Sequence, residues 1–151
     1  MYLKGGLIFV GNHKRGVRHF RDLSKANQNI KQKLIYRSSD LTKLSLKKRT
    51  KFLAKRNITD VIDFRTIDEI IYKEEVLNNA TYHHLPVLSV YDNPTVTRKS
   101  RSEVFKNVRN YPGGVLGYME NVYRILASEK TSIDYYKHFI DILANAKGSV
   151  L

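Results

Sequence analysis

The sequence predicts an α/β fold in which a largely parallel sheet is flanked by helices. Short apolar runs typical of strands alternate along the 151 residues with longer segments whose apolar side chains recur at helical spacing. The helical pattern beginning at Ser45 ends at Asn57, directly before the strand pattern Ile58–Phe64, as expected for a parallel sheet with crossover helices. Hydrophobic residues make up 42% of the chain, enough for the core of a single domain over residues 1–151.

Five segments carry the signals of strands or extended chain. They are Gly6–Val10, Lys33–Arg37, Ile58–Phe64, Tyr82–Val90 and Ser149–Leu151. Pro86 has no N–H to donate to a neighbouring strand, so its segment is expected at a sheet edge or a bulge.

Four segments show the helical spacing of apolar residues. They are Ser45–Asn57, Ile67–Leu77, Gly117–Leu126 and Ser132–Ala146. The last is expected to bury a set of large side chains, namely Ile133, Tyr136, Phe139, Ile140 and Leu143. Between the second and third helices, Tyr91–Gly114 contains Pro, Gly and a basic cluster without clear periodicity, and it is predicted to be a lid-like loop over the site.

Several classes of function are disfavoured by composition and spacing. The chain has no cysteine, so it contains no disulfide, thiolate ligand or cysteine nucleophile. The five histidines lack metal-ligand spacing, no Gly-x-Ser-x-Gly elbow occurs, and Gly113–Gly117 lacks the Lys-Ser/Thr of a phosphate loop. We therefore expect neither a metal nor a cofactor. No apolar run approaches the roughly 20 residues of a membrane span, and a cytoplasmic location is expected.

Positive charge is concentrated in the first part of the chain. Residues 1–58 carry 16 Lys and Arg against Asp22 and Asp40, a net charge of +14, whereas residues 59–151 carry 11 against 12 acids, a net charge of −1. Such a field favours anionic partners: nucleic acid, phospholipid headgroups or a phosphorylated substrate. A solvated lysine-rich surface is the plainer alternative. A non-catalytic basic module that binds acidic lipid or nucleic acid is therefore one candidate function.

Three clusters of arginine and acid are the candidate functional residues: Arg21-Asp22, Arg37 with Asp40, and Asp63 with Arg65. The second and third follow predicted strands, and ligands of open parallel sheets bind beyond the carboxyl ends of the strands. Arginine matches phosphate with two parallel hydrogen bonds, and a nearby aspartate can orient it or transfer a proton. The alternative is that these Arg–Asp pairs only tie loops together.

The same residues resemble the bacterial protein-tyrosine phosphatase family, which includes phosphatases of lipids and of phosphotyrosine with a Cys-x5-Arg loop. The resemblance rests on Phe-Arg-Asp-Leu at residues 20–23, Tyr-Arg-Ser-Ser-Asp-Leu at 36–41 and Val-Ile-Asp-Phe-Arg-Thr at 61–66, with Glu69 near the acidic position of the last motif. Residues 117–124 and 133–151 are similar to the segment that leads into the catalytic loop. His19 and Ser24-Lys25 depart from the usual Asn and Gly-Gly.

The resemblance implies an incomplete phosphatase-type sheet, because the family's cysteine loop follows the position at which residue 151 ends the sequence. It implies dephosphorylation of phosphotyrosine or phosphoinositide by a thiolate, with the present chain inactive alone. Asp63 is the candidate acid or loop-orienting residue, and the expected substrate-binding residues are Arg21, Asp22, Arg37, Asp40 and Arg65. The expected partners are a phosphorylated protein or phosphoinositide, a C-terminal fragment carrying the catalytic loop, an acidic membrane surface, and further copies of the chain.

Overall fold

A computed structural model of the chain describes residues 17–70, 77–88 and 101–151. The strands are β1 (Arg21–Asp22), β2 (Tyr36–Arg37), β3 (Ile58–Asp63), β4 (Thr81–His84) and β5 (Ser149–Val150). The helices are α1 (Leu46–Ala54), α2 (Ile67–Ile70), α3 (Arg101–Arg109), α4 (Gly114–Ser128) and α5 (Lys130–Asn145), and a 3-10 helix spans Leu23–Lys25. The predicted segment Gly6–Val10 lies outside the described residues.

The sheet confirms the predicted α/β class. β3 lies at its centre, pairs in parallel with β4 on one side and with β5 on the other, and gives the order β4-β3-β5. β1 and β2 form a separate antiparallel ribbon, in which Arg21 lies opposite Arg37. A parallel bridge between Ile35 and Val150 joins this ribbon to the sheet. The predicted strand Lys33–Arg37 is therefore shorter than expected, and its residues pair both with β1, through Tyr36–Arg37, and with β5 of the main sheet, through Ile35.

The turn from α1 into β3 places both elements against the core. Asn57 ends the turn with a φ of 52°, a left-handed conformation that asparagine adopts more readily than most residues. Leu53 of α1 is fully buried. The buried cluster around it consists of Tyr36, Leu41, Leu53, Ile58 and Val61. Apolar spacing thus predicted this helix and this strand correctly, and the structure adds that they pack against each other.

β4 is shorter than the predicted strand Tyr82–Val90, which extends beyond the described residues. It ends at His84, two residues before Pro86, and lies at the edge of the described sheet. Beyond the strand, the Leu85 N–H still donates to the Asp63 carbonyl at 2.8 Å. Since proline has no N–H, it cannot continue this hydrogen-bonding pattern.

α3 contradicts part of the expected lid-like loop at residues 91–114. Residues 101–109 form a helix, whereas residues 91–100 lie outside the described part of the chain. Lys106 and Arg109 occupy the last turn of α3, where cations interact favourably with the helix dipole. Between α3 and α4, the described part of this segment is a short connection that contains Pro112 and Gly113, and Gly113 has a φ of 77°.

α5 confirms the predicted helix but buries a different face. Ser132 and Ile142 are buried, whereas Ile133, Tyr136 and Ile140 are exposed, the last by 58%. The Ser132 hydroxyl donates a 2.6 Å hydrogen bond to the carbonyl of Val87. This buried bond holds the Ser132 side of the helix inward, so the prediction that Ile133, Tyr136 and Ile140 are buried is wrong.

Within the described part of the chain, no helix is both long and apolar enough to cross a bilayer.

Candidate functional site

A cavity of about 480 Å³ opens beyond the carboxyl end of β3. Its walls are the β2–α1 connection, the end of β3 and the end of β5, formed by residues 35–41, 61–65 and 150–151 together with Leu23, Glu69 and Phe139. Four of the six residues proposed from the sequence border this cavity, namely Arg37, Asp40, Asp63 and Arg65. Two distant segments of the chain are thus brought to the sheet edge where ligands of α/β proteins bind.

Asp63 is the buried centre of the site, with 8% of its surface exposed. Its Oδ1 accepts hydrogen bonds from the backbone N–H of Arg65 at 3.0 Å and from Nε of the same residue at 2.9 Å. The guanidinium also donates to Oδ2 through Nε at 2.9 Å and through an Nη2 contact. The Asp63–Arg65 pair is therefore a forked, charge-assisted ion pair.

Tyr82 is the third member of this network. Its hydroxyl donates to Oδ2 of Asp63 at 2.7 Å, and the parallel register places Tyr82 on β4 opposite Val61 of β3. Burial and the hydrogen bond to the carboxylate raise the pKa of Tyr82 far above its usual range. The phenol therefore remains a neutral donor.

The charge state of Asp63 follows from competition between burial and donors. Burial by itself raises the pKa of this carboxyl, but the hydrogen bonds from Arg65 and Tyr82 outweigh it, so the pKa of Asp63 is lowered from its ordinary value. Asp63 is thus ionised at neutral pH with both oxygens engaged. This environment favours a carboxylate that holds neighbouring groups in position.

The backbone after Asp63 is fixed by two further contacts. His84 donates from Nε2 to the carbonyl of Arg65 at 2.7 Å. Glu69 accepts from the backbone N–H of Thr66 at 2.8 Å and from its hydroxyl at 3.2 Å. The Thr66–Glu69 pair has the spacing of a capping box at the start of α2. The acidic position of the third motif therefore caps a helix in this structure.

The β2–α1 connection supplies Arg37 and Asp40. Asp40 accepts from the backbone N–H of Thr42 at 3.2 Å and from its hydroxyl, which shapes the turn before α1. Arg37 is exposed and borders the cavity. Among the described residues it forms no ion pair with a carboxylate, so its guanidinium is available to an anion in the cavity.

Arg21 and Asp22, also expected to bind substrate, are not among the residues that line the cavity. Asp22 accepts hydrogen bonds from the backbone N–H groups of Ser24 at 3.0 Å and Lys33 at 2.8 Å. Burial alone would raise the pKa of Asp22, but the hydrogen bonds from Lys33 and Ser24 together outweigh it, so the pKa is lowered. Arg21 lies opposite Arg37 in the backbone register of the β1–β2 ribbon. Asp22 therefore braces the connection between β1 and β2 through backbone N–H groups.

Comparison with known proteins gives one match of high coverage. A family model described as "Tyrosine phosphatase family" matches residues 13–151, which is most of the chain. No curated protein matches the chain at the level required for a significant relationship.

Proposed function

The chain belongs to the tyrosine phosphatase family, and from this membership we propose that its cavity binds the phosphoryl group of phosphotyrosine or of a phosphoinositide. The observation that carries the proposal is the distribution of charge at the cavity wall. The carboxylates of Asp40, Asp63 and Glu69 all accept hydrogen bonds from neighbouring protein groups. Arg37, which forms no ion pair with a carboxylate among the described residues, supplies a cation for a phosphoryl oxygen at the sheet edge where such ligands bind.

Within this proposal Asp63 acts as a positioning residue. An ionised carboxylate with a lowered pKa and three donor groups around it is a poor source of protons. Its contacts instead fix Arg65 beside the cavity, with Tyr82 holding the carboxylate from the neighbouring strand. Of the two roles expected from the sequence, orientation of the loop is the one that this geometry favours.

The proposed contribution of residues 1–151 is recognition. Resemblance to bacterial tyrosine phosphatases implies attack by a cysteine thiolate, and these residues contain no cysteine. The 151-residue chain is therefore expected to bind phosphate esters without hydrolysing them. Incubation with a chromogenic aryl phosphate should release no product, and vanadate-sensitive turnover that persists after repurification would contradict this expectation.

Binding is tested by titrating the chain with O-phospho-L-tyrosine and with a soluble inositol phosphate while amide chemical shifts are followed by NMR. Shifts should appear in residues 37–41 and 61–65. Replacing Arg37 by Gln should weaken binding about tenfold or more, because a hydrogen bond between two charged groups is lost. Arg109→Gln, an exposed change at the end of α3, serves as the matched control and should leave binding unchanged.

The two ligands distinguish the substrate classes, since tighter binding of one identifies the headgroup that the cavity accepts. If neither ligand shifts these amides, or if R37Q and R109Q behave alike, the proposed recognition of phosphate by this cavity is wrong.

A further inference from the structure

Helix α1 and its C-terminal cap carry four lysines on one face, which we call the lysine stripe: Lys47, Lys48, Lys51 and Lys55. At 100° per residue these side chains fall within an arc of about 100°. All four are exposed. The buried residues of the helix, Arg49 and Leu53, project from the opposite side. The lysine stripe thus points directly away from the core.

The charge of the lysine stripe is not balanced by nearby acids. α1 contains no Asp or Glu, and in the part of the chain that the structure describes none of the four lysines contacts a carboxylate. The two acids of residues 1–58 hold their own loops, since Asp22 accepts from Lys33 N–H and Asp40 from Thr42 N–H. Lysines four residues apart repel one another and destabilise a helix. An anionic partner would relieve this repulsion.

The aromatic residues beside α1 argue against single-stranded nucleic acid as that partner. Phe20 stacks on Tyr36 with ring centroids 5.0 Å apart and meets Phe52 edge to face at 5.1 Å. The Arg56 guanidinium covers Phe20 and Phe52 at 4.7 and 4.0 Å. Because these rings pack against each other and against a cation, they offer no platform on which bases could stack.

The chemistry of the stripe itself favours lipid headgroups. Lysine is a compact, strongly hydrated charge on a flexible stem, whereas arginine is preferred where phosphates are recognised by a rigid fork. A row of flexible charges suits the diffuse negative potential of a bilayer that contains anionic lipids. We propose that the lysine stripe docks the protein on an anionic phospholipid surface.

The test measures binding of the full chain to vesicles by co-sedimentation. One set contains phosphatidylcholine mixed with phosphatidylserine, and the other contains phosphatidylcholine alone. The wild-type chain should bind the first set only and should be released by high salt, because exposed charges are screened. Each lysine near an anionic surface strengthens binding about fivefold, so replacing all four by Gln should weaken it by several hundredfold.

A control with the same net charge separates the stripe from general attraction. Four exposed lysines elsewhere are replaced by Gln, namely Lys106, Lys130, Lys137 and Lys147. The affinity of this control variant for the anionic vesicles should fall by less than about tenfold, since charges away from the docked surface act on the lipids only over longer distances. Circular dichroism establishes that both variants are folded.

Three results would overturn the proposal. The first is an equal loss of vesicle affinity in the two quadruple variants. The second is equal binding of the wild-type chain to neutral and anionic vesicles. The third is tighter binding of the lysine stripe to a single-stranded oligonucleotide than to the anionic vesicles. Phosphotyrosine binding at the cavity provides an independent readout. It should survive in the stripe variant, because no stripe residue lines the cavity.

Discussion

Replacing Asp63 by Asn tests whether the buried carboxylate organises the site. The change is nearly isosteric, but it removes the negative charge that Arg65 and Tyr82 address. The amide nitrogen would also present hydrogen atoms to groups that are themselves donors. We therefore expect D63N to lower the free energy of unfolding and to release Arg65 from its present position.

The magnitude follows from the contacts. Removing one partner of a buried ion pair costs about 3–5 kcal/mol when the other is left buried and unpaired. The Arg65 side chain retains 23% exposure, so water would solvate part of it and reduce the penalty. A loss of about 2–3 kcal/mol is expected at neutral pH, a large fraction of the roughly 5–15 kcal/mol typical of a domain.

The dependence on pH has a defined sign. The pKa of Asp63 is lowered in the folded protein, so its contribution is fully present above the unfolded value of about 3.9 and is lost as the pH falls through the folded pKa. Urea unfolding followed by circular dichroism should show a constant gap between wild type and D63N from about pH 7 to pH 5. The gap should begin to narrow below about pH 4, where Asp63 of the unfolded chain becomes protonated, and should close as the pH falls through the lowered pKa of Asp63 in the folded protein.

Asp134→Asn is the matched control, because the contact of Asp134 with Lys137, at 3.5 Å, is exposed to solvent. Such pairs contribute less than about 1 kcal/mol. Tyr82→Phe provides an intermediate case, which removes one donor to Asp63 and should cost about 1–2 kcal/mol. If D63N is no less stable than D134N, or if its deficit is the same at all pH values, the buried network does not stabilise the fold as described.

Four further substitutions test the packing of the fold by urea or thermal unfolding. Leu53→Ala should cost about 2–5 kcal/mol because Leu53 is fully buried, whereas exposed Ile140→Ala should change stability by less than about 0.5 kcal/mol; similar losses would contradict the assignment of the core. Gly148→Ala should cost at least about 2 kcal/mol, since its Cβ would lie 2.4 Å from the carbonyl oxygen of Asn57, and an unchanged midpoint would show that the turn yields freely. Ser132→Ala should lower the free energy of unfolding by about 1–3 kcal/mol, because the Val87 carbonyl loses its buried donor. An unchanged stability would show that this hydrogen bond does not hold α5 in place.

The sequence predicted best those parts of the fold in which neighbouring elements follow one another directly along the chain. The helix α1, the turn at Asn57 and the buried strand β3 follow from apolar spacing and a residue that tolerates positive φ. The short connection between α1 and β3 also predicted a parallel sheet, because helices commonly connect parallel strands. The antiparallel pairing of β1 with β2 could not be predicted, because each strand has only two residues and carries too little pattern to specify a partner.

The orientation of α5 shows a limit of hydrophobic periodicity. The apolar residues Ile133, Tyr136 and Ile140 fall on one face of this helix, yet that face is exposed. The buried face contains Ser132, whose hydroxyl finds a carbonyl 45 residues away in the chain. A serine at a buried position is stabilised by such a partner, and sequence spacing contains no information about it.

Within the candidate site, the sequence identified the charged residues of β3 and of the β2–α1 connection but not Tyr82. The role of Tyr82 depends on the register between β3 and β4, which places Val61 opposite Tyr82 and Asp63 opposite His84. A shift by one residue would turn the phenol to the other face of the sheet. Arg21 and Asp22 matched a family motif as well as Arg37 did. Only the structure shows that Asp22 holds a loop whereas Arg37 borders the cavity.

The positively charged side chains of residues 1–58 have different roles, depending on how deeply each is buried. Arg49 is buried and donates to the carbonyl of Leu44 at 3.2 Å, and Arg56 covers the rings of Phe20 and Phe52. These two guanidinium groups stabilise the fold and contribute little to an external partner. Arg37, by contrast, faces a cavity, and the lysine stripe faces solvent. A net charge of +14 over residues 1–58 therefore predicts an anionic partner. The places where such a partner would bind depend on which of these cations are left exposed once others are engaged in the core and its loops.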